Sequence, residues 1–143
     1  MDTENTNPIF HLSMPVDNLE TARTFYCETM GCAAGRSAAT WIDIDFFGHQ
    51  LSLHLGPSNA VNTGQVERLS VPIPHYGVVL NLKDWNALIE RFRSTNVVFM
   101  IEPQVRFQGA PEEQGTFFVA DPAGNALEFK GVNLAAKILE AHA

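Results

Sequence analysis

Two stretches of the sequence repeat apolar residues with the spacing of an amphipathic helix, and shorter runs alternate apolar and polar residues as strands do. The clearer helix is expected between Asp84, its N-cap, and Asn96, its left-handed C-cap. The other is expected between Asp17 and Gly31. Their apolar stripes are Leu19, Ala22, Tyr26 and Met30, and Trp85, Leu88, Ile89 and Phe92. Both helices should therefore lie on a sheet.

Period-two runs predict the strands of that sheet. The runs are 41–46, 50–55, 97–101, 116–120 and 126–130, besides two openers that carry histidines. Because side chains alternate along a strand, His11, Ser52 and Glu128 are expected on the face away from the helices. Leucine and phenylalanine neighbours take the helix side.

The order of elements is the same in the two halves of the chain. Each half opens with a histidine-bearing strand, at His11 and at His75, and continues into a helix. Each later has a turn glycine, Gly48 or Gly124, followed by an alternating run. Such a repeat indicates duplication of one unit. We expect an α+β fold in which paired βαβββ modules form a curved, incompletely closed mixed sheet around a cleft, with helices outside.

The length suits one domain over 1–143. We expect module one at about 8–56, a linker at 57–73, module two at about 74–131, and a weakly amphipathic C-terminal helix over 132–143. Segments 56–74 and 103–115 are rich in proline and glycine and are predicted to be loops, the second long enough to bind a ligand.

Composition narrows the classes of partner. There are 9 basic and 16 acidic side chains, a net charge of −7, which disfavours nucleic acid and anionic membranes. The polar start lacks the features of a signal peptide, and no apolar run reaches spanning length. We therefore expect a cytoplasmic protein in which Cys27 and Cys32 stay reduced.

Two imidazoles and one carboxylate, from His11, His75 and Glu128, can make a metal site. Each lies at the matching end of a module, and a Glu buried without a partner would be costly. The alternative for a lone strand histidine is a hydrogen-bonded core residue. His54 shares the inner face of its strand with Ser52 and is a candidate acid or base, or a fourth ligand.

Four further side chains have weaker signals. Arg106 and Gln114 flank the second loop, where they meet either a substrate oxyanion or solvent. We assign them, with Ser52, to substrate binding. Asp43 and Asp45 alternate on one strand face and are expected on a solvent or dimer surface.

The chain resembles the vicinal oxygen chelate superfamily, which contains glyoxalase I, bleomycin-resistance proteins, fosfomycin-modifying enzymes and extradiol dioxygenases. The resemblance lies in 11–19 (HLSMPVDNL) with Ala22, Phe25 and Tyr26, in His75, and in 117–129, where an Asp-Pro-x-Gly-Asn turn leads to a strand glutamate. It implies one divalent ion (Fe, Mn, Zn, Ni or Co) held by His11, His75 and Glu128. It also implies a small substrate bound through two adjacent oxygens, and a homodimer whose sites are built within or across subunits.

The repeat alignment places Ser52 where glyoxalase-I-like members have a fourth ligand, usually Glu. This departure disfavours glyoxalase I activity and favours a two-histidine, one-carboxylate site as in extradiol dioxygenases. The alternatives are a glyoxalase-like lyase or isomerase, a thiol transferase, or a metal-free protein that binds a drug-like molecule, as bleomycin-resistance relatives do. A degenerate scaffold is a further alternative.

Overall fold

A computed structural model describes residues 6–57, 62–66, 69–111 and 113–140. Contacts divide the chain into two compact units, Met1–Pro57 and Ser58–Ala143. Neither α-helix in the described part of the chain has the length and apolar character needed to cross a bilayer. Cys27 and Cys32 form no disulfide.

The first unit has the predicted βαβββ order. Its elements are β1 (His11–Val16), α1 (Leu19–Arg23), a π-helical turn (Thr24–Thr29), β2 (Ala33–Ala38), β3 (Trp41–Phe46) and β4 (His49–Leu55). They form a sheet of order β1-β4-β3-β2, in which β1 is parallel to β4 and the other pairs are antiparallel.

The second unit repeats this topology after a hairpin. Its elements are β5 (Asn62–Val66), β6 (Leu69–Ile73), β7 (Tyr76–Asn81), α2 (Leu82–Ser94), β8 (Phe99–Arg106), β9 (Gln114–Ala120), β10 (Ala126–Val132) and a 3-10 turn (Ala135–Lys137). The four-stranded sheet has the order β7-β10-β9-β8, with β7 parallel to β10. Two open mixed sheets of the same topology confirm the predicted α+β fold.

The structure differs from the expected elements at four places. The predicted linker contains the β5–β6 hairpin, and β8 extends into the predicted second loop as far as Arg106. Where the C-terminal helix was expected, the described residues up to 140 form a 3-10 turn and no α-helix. Strand β2 was missed because it has no large apolar residue and all of its residues are exposed, so it shows no alternation. Parts of these predictions, 58–61, 67–68, 112 and 141–143, lie outside the described residues, as do 1–5.

Both helices begin at caps other than the predicted aspartates. Asn18, not Asp17, caps α1, and its side chain accepts a hydrogen bond from the Thr21 N–H at 3.0 Å. Helix α2 starts after Asn81 rather than at Asp84, and the Asn81 side chain instead accepts from the N–H of Ala135. The predicted left-handed residue after α2 is confirmed, since Asn96 has φ 59°.

A pair of glycines lets α2 pack closely on the second sheet. Gly115 and Gly131 are directly opposed on β9 and β10, and the ring of Trp85 lies against both. The indole N–H of Trp85 donates to the carbonyl oxygen of Phe129 at 2.9 Å. A Cβ atom at Gly131 would lie 2.5 Å from Trp85 Cγ, so the position excludes any side chain. Trp85 therefore fixes the helix to the strand that carries Glu128.

We predict that Gly131→Ala lowers the free energy of unfolding by about 1–3 kcal/mol, because the added methyl group overpacks the Trp85 contact. Urea denaturation measures the change. Gly56→Ala is the control, since its Cβ would meet only Pro15 at an ordinary 3.6 Å, and its effect should stay within about 0.5 kcal/mol. Equal stability of the two variants would contradict this account of α2 packing.

Candidate functional site

Strand register puts His11 and His75 at equivalent positions, each within its own unit. The parallel pair β1–β4 aligns Ser13 with Ser52, and the parallel pair β7–β10 aligns Gly77 with Glu128. Each histidine stands two residues before that aligned residue. The equivalence of Ser52 and Glu128, inferred from the turn glycines, is therefore reproduced by the backbone pairing.

The Asp-Pro-x-Gly-Asn turn fixes where Glu128 falls. Asp121 Oδ1 accepts hydrogen bonds from the N–H groups of Ala123 and Asn125, at 3.0 and 2.8 Å, and Gly124 has φ +92°. This turn sets the antiparallel register in which Glu128 opposes Phe118. A slip of one residue would move Glu128 to the helix side of the sheet.

Three side chains surround the carboxylate of Glu128, which is 6% exposed. Oε1 lies 3.1 Å from Nε2 of His75. Oε2 lies 3.2 Å from Nη1 of Arg106 and accepts from the Thr116 hydroxyl at 2.5 Å. Because Arg106 is also 6% exposed and carries the opposite charge, burial of Glu128 does not by itself require a metal ion.

The imidazole of His75 is held on two sides. Nδ1 lies 2.6 Å from the carbonyl oxygen of Pro72. A carbonyl oxygen only accepts, so Nδ1 carries a proton and, in a neutral ring, Nε2 is left with its lone pair. Phe118 packs edge-on against the ring, with centroids 5.0 Å apart. The ring orientation is therefore fixed with Nε2 toward Glu128.

Arg106 and Gln114 are buried strand residues and not solvated loop residues. They are cross-strand partners at the ends of β8 and β9. The guanidinium of Arg106 also lies over the Phe107 ring, 5.2 Å from its centroid. Arg106 Nε and Gln114 Oε1 are buried without a hydrogen-bond partner among the described groups. One is a donor and the other an acceptor, so they complement each other chemically.

Ser52 is buried and its hydroxyl donates to Asp43 Oδ1 at 2.6 Å. Asp43 Oδ2 accepts from Gln50 Nε2 at 3.1 Å. The expectation that Asp43 lies on a solvent or dimer surface is wrong, because this residue is 9% exposed and is the cross-strand partner of Ser52. The pKa of the Asp43 carboxyl is lowered, mainly by the Ser52 hydrogen bond, while burial acts in the opposite direction.

The remaining predicted residues lie in the first unit. His11 is exposed, and its Nε2 lies 3.3 Å from the Ser13 hydroxyl. His54 is exposed on β4 between Pro15 and Trp41. Of the predicted metal ligands, the structure brings His75 and Glu128 together. Among the described residues there is no group of three or more His, Cys, Asp or Glu side chains arranged to hold a metal ion.

Sequence reasoning missed the contacts of two residues, Thr116 beside Glu128 in the second unit and Asp43 beside Ser52 in the first. Hairpin register identifies both. With Ala126 opposite Ala120, Glu128 faces Phe118 and Thr116 falls on the same face one pleat away. With His49 opposite Phe46, Asp43 falls opposite Ser52. Extending each turn by its antiparallel pairing would have placed both.

The fold is that of a known superfamily. The sequence profile of the Glyoxalase/Bleomycin resistance protein/Dioxygenase superfamily matches residues 9–129. The chain therefore belongs to this superfamily. Its members commonly use a divalent metal ion, bind small molecules and often form dimers.

Solved structures agree with this assignment. A glyoxalase/bleomycin resistance protein/dioxygenase from Alicyclobacillus acidocaldarius is 30% identical, covers 96% of this chain and 100% of its own, and gives a TM-score of 0.77. A fosfomycin resistance protein from Listeria monocytogenes shares the fold at 15% identity, with coverage of 94% and 100% and a TM-score of 0.70. A lactoylglutathione lyase from Agrobacterium tumefaciens does so at 15% identity, 92% and 97% coverage, and a TM-score of 0.63. No curated protein matches the sequence.

We predict that Ser52→Ala lowers the free energy of unfolding at neutral pH by about 1.5–3 kcal/mol, the usual contribution of a hydrogen bond to a charged group. The lowered pKa of Asp43 means that this stabilisation exists above the unfolded-state pKa and is lost as pH falls through the folded-state pKa. The difference between variant and native protein should therefore shrink in strong acid.

Urea denaturation at neutral and strongly acidic pH measures this difference. Ser13→Ala, which removes an exposed hydroxyl from the neighbouring strand, is the control and should change stability by at most about 0.5 kcal/mol. A loss for Ser52→Ala that is the same at both pH values would contradict the assigned role of the Asp43 hydrogen bond.

Proposed function

We propose that this protein is a divalent-metal-dependent enzyme that binds a small substrate through two adjacent oxygens, with a ligand set most like that of extradiol dioxygenases. His11, His75 and Glu128 would hold the ion. When bound, the ion supplies Lewis-acid chemistry or, as Fe(II), activation of dioxygen.

The observation that carries the proposal is the contact between His75 Nε2 and Glu128 Oε1 at 3.1 Å. In the neutral ring, two lone-pair acceptors face each other there, because Nδ1 donates to Pro72. Such a pair needs a cation between its members, either a proton or a metal ion. A histidine whose second nitrogen donates to a backbone carbonyl is the usual arrangement for a metal ligand.

The donor atoms fit the class of ion proposed. Imidazole nitrogen and carboxylate oxygen suit Fe, Mn, Zn, Ni and Co, and a set of two histidines and one carboxylate leaves positions for substrate. Ser52 supports this three-ligand set over the four ligands of glyoxalase-I-like members. The Ser52 hydroxyl donates a hydrogen bond to the Asp43 carboxylate. Ser52 therefore has a hydrogen-bonding role at the position where those members have their fourth ligand.

Other side chains would bind and prepare the substrate. Arg106 Nε and Gln114 Oε1, which lack partners among the described groups, suit a substrate group that both accepts and donates. The Ser52 hydroxyl already donates its hydrogen bond to Asp43, so toward a substrate hydroxyl it can only accept one. The exposed imidazole of His54 would take or return a proton of that hydroxyl.

A second candidate function is metal-free binding of a drug-like molecule. One observation favours it: Arg106 already neutralises Glu128 in a buried ion pair, so the charge of the carboxylate is balanced without a metal ion. In that case a proton would be shared between His75 and Glu128, and the protein would bind ligand stoichiometrically without turnover.

Elemental analysis of protein purified anaerobically separates the two candidates. We predict that the native protein contains bound divalent metal and that the metal content of His75→Ala is more than about tenfold lower. Even residues that only hydrogen-bond to a ligand change metal affinity by about 10–100-fold when they are replaced. His49→Ala is the matched control, because this exposed imidazole is bonded to the Phe10 N–H. It should retain the metal. Metal equally absent from all three proteins would contradict the enzyme proposal and favour the binding protein.

With metal retained, oxygen uptake in the presence of catechols would support the dioxygenase activity. Turnover of hemithioacetals of 2-oxoaldehydes would instead support a glyoxalase-like lyase or isomerase, and turnover with an added thiol would support a thiol transferase.

We also propose a homodimer, as is common in the superfamily. If sites are built across subunits, a mixture of His11→Ala and His75→Ala chains regains part of the metal that each variant lacks, because one site of the mixed dimer has all its ligands. Light scattering and elemental analysis of the mixture measure this. No recovery in a mixture that contains mixed dimers would assign each site to one subunit, and a monomeric native protein would contradict the dimer.

A cytoplasmic location is a further part of the proposal. In such a reducing compartment Cys27 and Cys32 would stay reduced.

A further inference from the structure

The two oxygens of the Glu128 carboxylate have different surroundings. Oε2 accepts from the Thr116 hydroxyl at 2.5 Å and faces Arg106 Nη1 at 3.2 Å. Among the described residues, Oε1 faces Nε2 of His75 at 3.1 Å. The two donors to Oε2 are themselves buried, with Thr116 fully inaccessible. One oxygen is thus held and the other is directed at the histidine.

We propose that Thr116 and Arg106 are positioning residues that hold Oε2, so that Glu128 binds the metal ion through Oε1 alone. This inference rests on the proposed metal-dependent function. A carboxylate without such donors can rotate and bind an ion through one or both oxygens. Donors to the oxygen that does not bind fix the rotation of the group and reduce the ordering that metal binding requires.

The fold makes the Thr116 contact rigid. Thr116 lies in the middle of β9, paired with Lys130 on β10 and Gln104 on β8, so strands lie on both sides of it. Its β-branched side chain restricts χ1 and therefore the direction of the hydroxyl. The register that sets Glu128 opposite Phe118 brings Thr116 to the same face, diagonal to the carboxylate.

Thr116→Val gives the sharper test of the two residues. Valine keeps the shape and β-branching of threonine and removes only the hydroxyl. Replacing Arg106 by an uncharged residue would leave Glu128 as a buried charge without its partner. A loss of metal affinity in that variant could then come either from lost positioning of the carboxylate or from general destabilisation of the protein. Thr116→Ser, which keeps the hydroxyl, is the matched control.

The experiment titrates chelator-stripped protein with Co²⁺, measuring affinity by calorimetry and coordination by the visible spectrum. Relative to the native protein, we expect Thr116→Val to bind Co²⁺ about 10–100-fold more weakly, with a changed spectrum. Thr116→Ser should bind within a few-fold and keep the native spectrum. A residue with only a structural role would leave the spectrum unchanged.

Unchanged affinity and spectrum in Thr116→Val would overturn the inference and leave the metal site standing. Failure of the native protein to bind Co²⁺ would overturn the proposed function and the inference with it. If near-UV circular dichroism shows that Thr116→Val does not fold, Arg106→Lys replaces it, because lysine keeps the charge and loses the planar fork. Native affinity and spectrum in Arg106→Lys would then overturn the inference.

Discussion

The contact between His75 Nε2 and Glu128 Oε1 is the interaction on which the functional account depends. The Pro72 carbonyl fixes the proton of His75 on Nδ1, so the two facing atoms repel each other unless a cation lies between them. The structure thus holds two potential ligands in a state that favours cation binding. Arg106 and Thr116 satisfy the second carboxylate oxygen and keep the buried charge tolerable.

Strands β9 and β10 connect this site to the stability of the second unit. Their helix side carries Gly115 and Gly131, against which Trp85 packs, and their other side carries Thr116 and Glu128. Successive residues of each strand point to opposite sides of the sheet. The register that opposes the two glycines under Trp85 therefore also sets the position of the Glu128 carboxylate. Packing of α2 and geometry of the site are therefore consequences of one strand pairing.

Much of this arrangement could be predicted from the sequence, because local signals set it. The turn glycine before Glu128 defines a hairpin register, and the repeat gives His75 an equivalent in His11. The sequence places Arg106 beside a loop because Pro103 and the nearby glycines are typical of loops. Strand β8 nevertheless tolerates a proline, since it is an edge strand of its sheet and its pairing with β9 is irregular. Long-range partnerships such as Arg106 with Glu128 depend on three strands at once, which periodicity in one strand does not report.

Nitrogen NMR of histidine-labelled protein tests the central claim most directly. Each imidazole nitrogen reports its own protonation and ligation, and His→Ala variants assign the signals. The account predicts that Zn²⁺ shifts Nε2 of His75 and of His11 at one equivalent, that Nδ1 of His75 keeps its proton, and that His49 is unaffected. A titration in which Nε2 of His75 is unmoved at saturating Zn²⁺, or in which His49 responds equally, would contradict it.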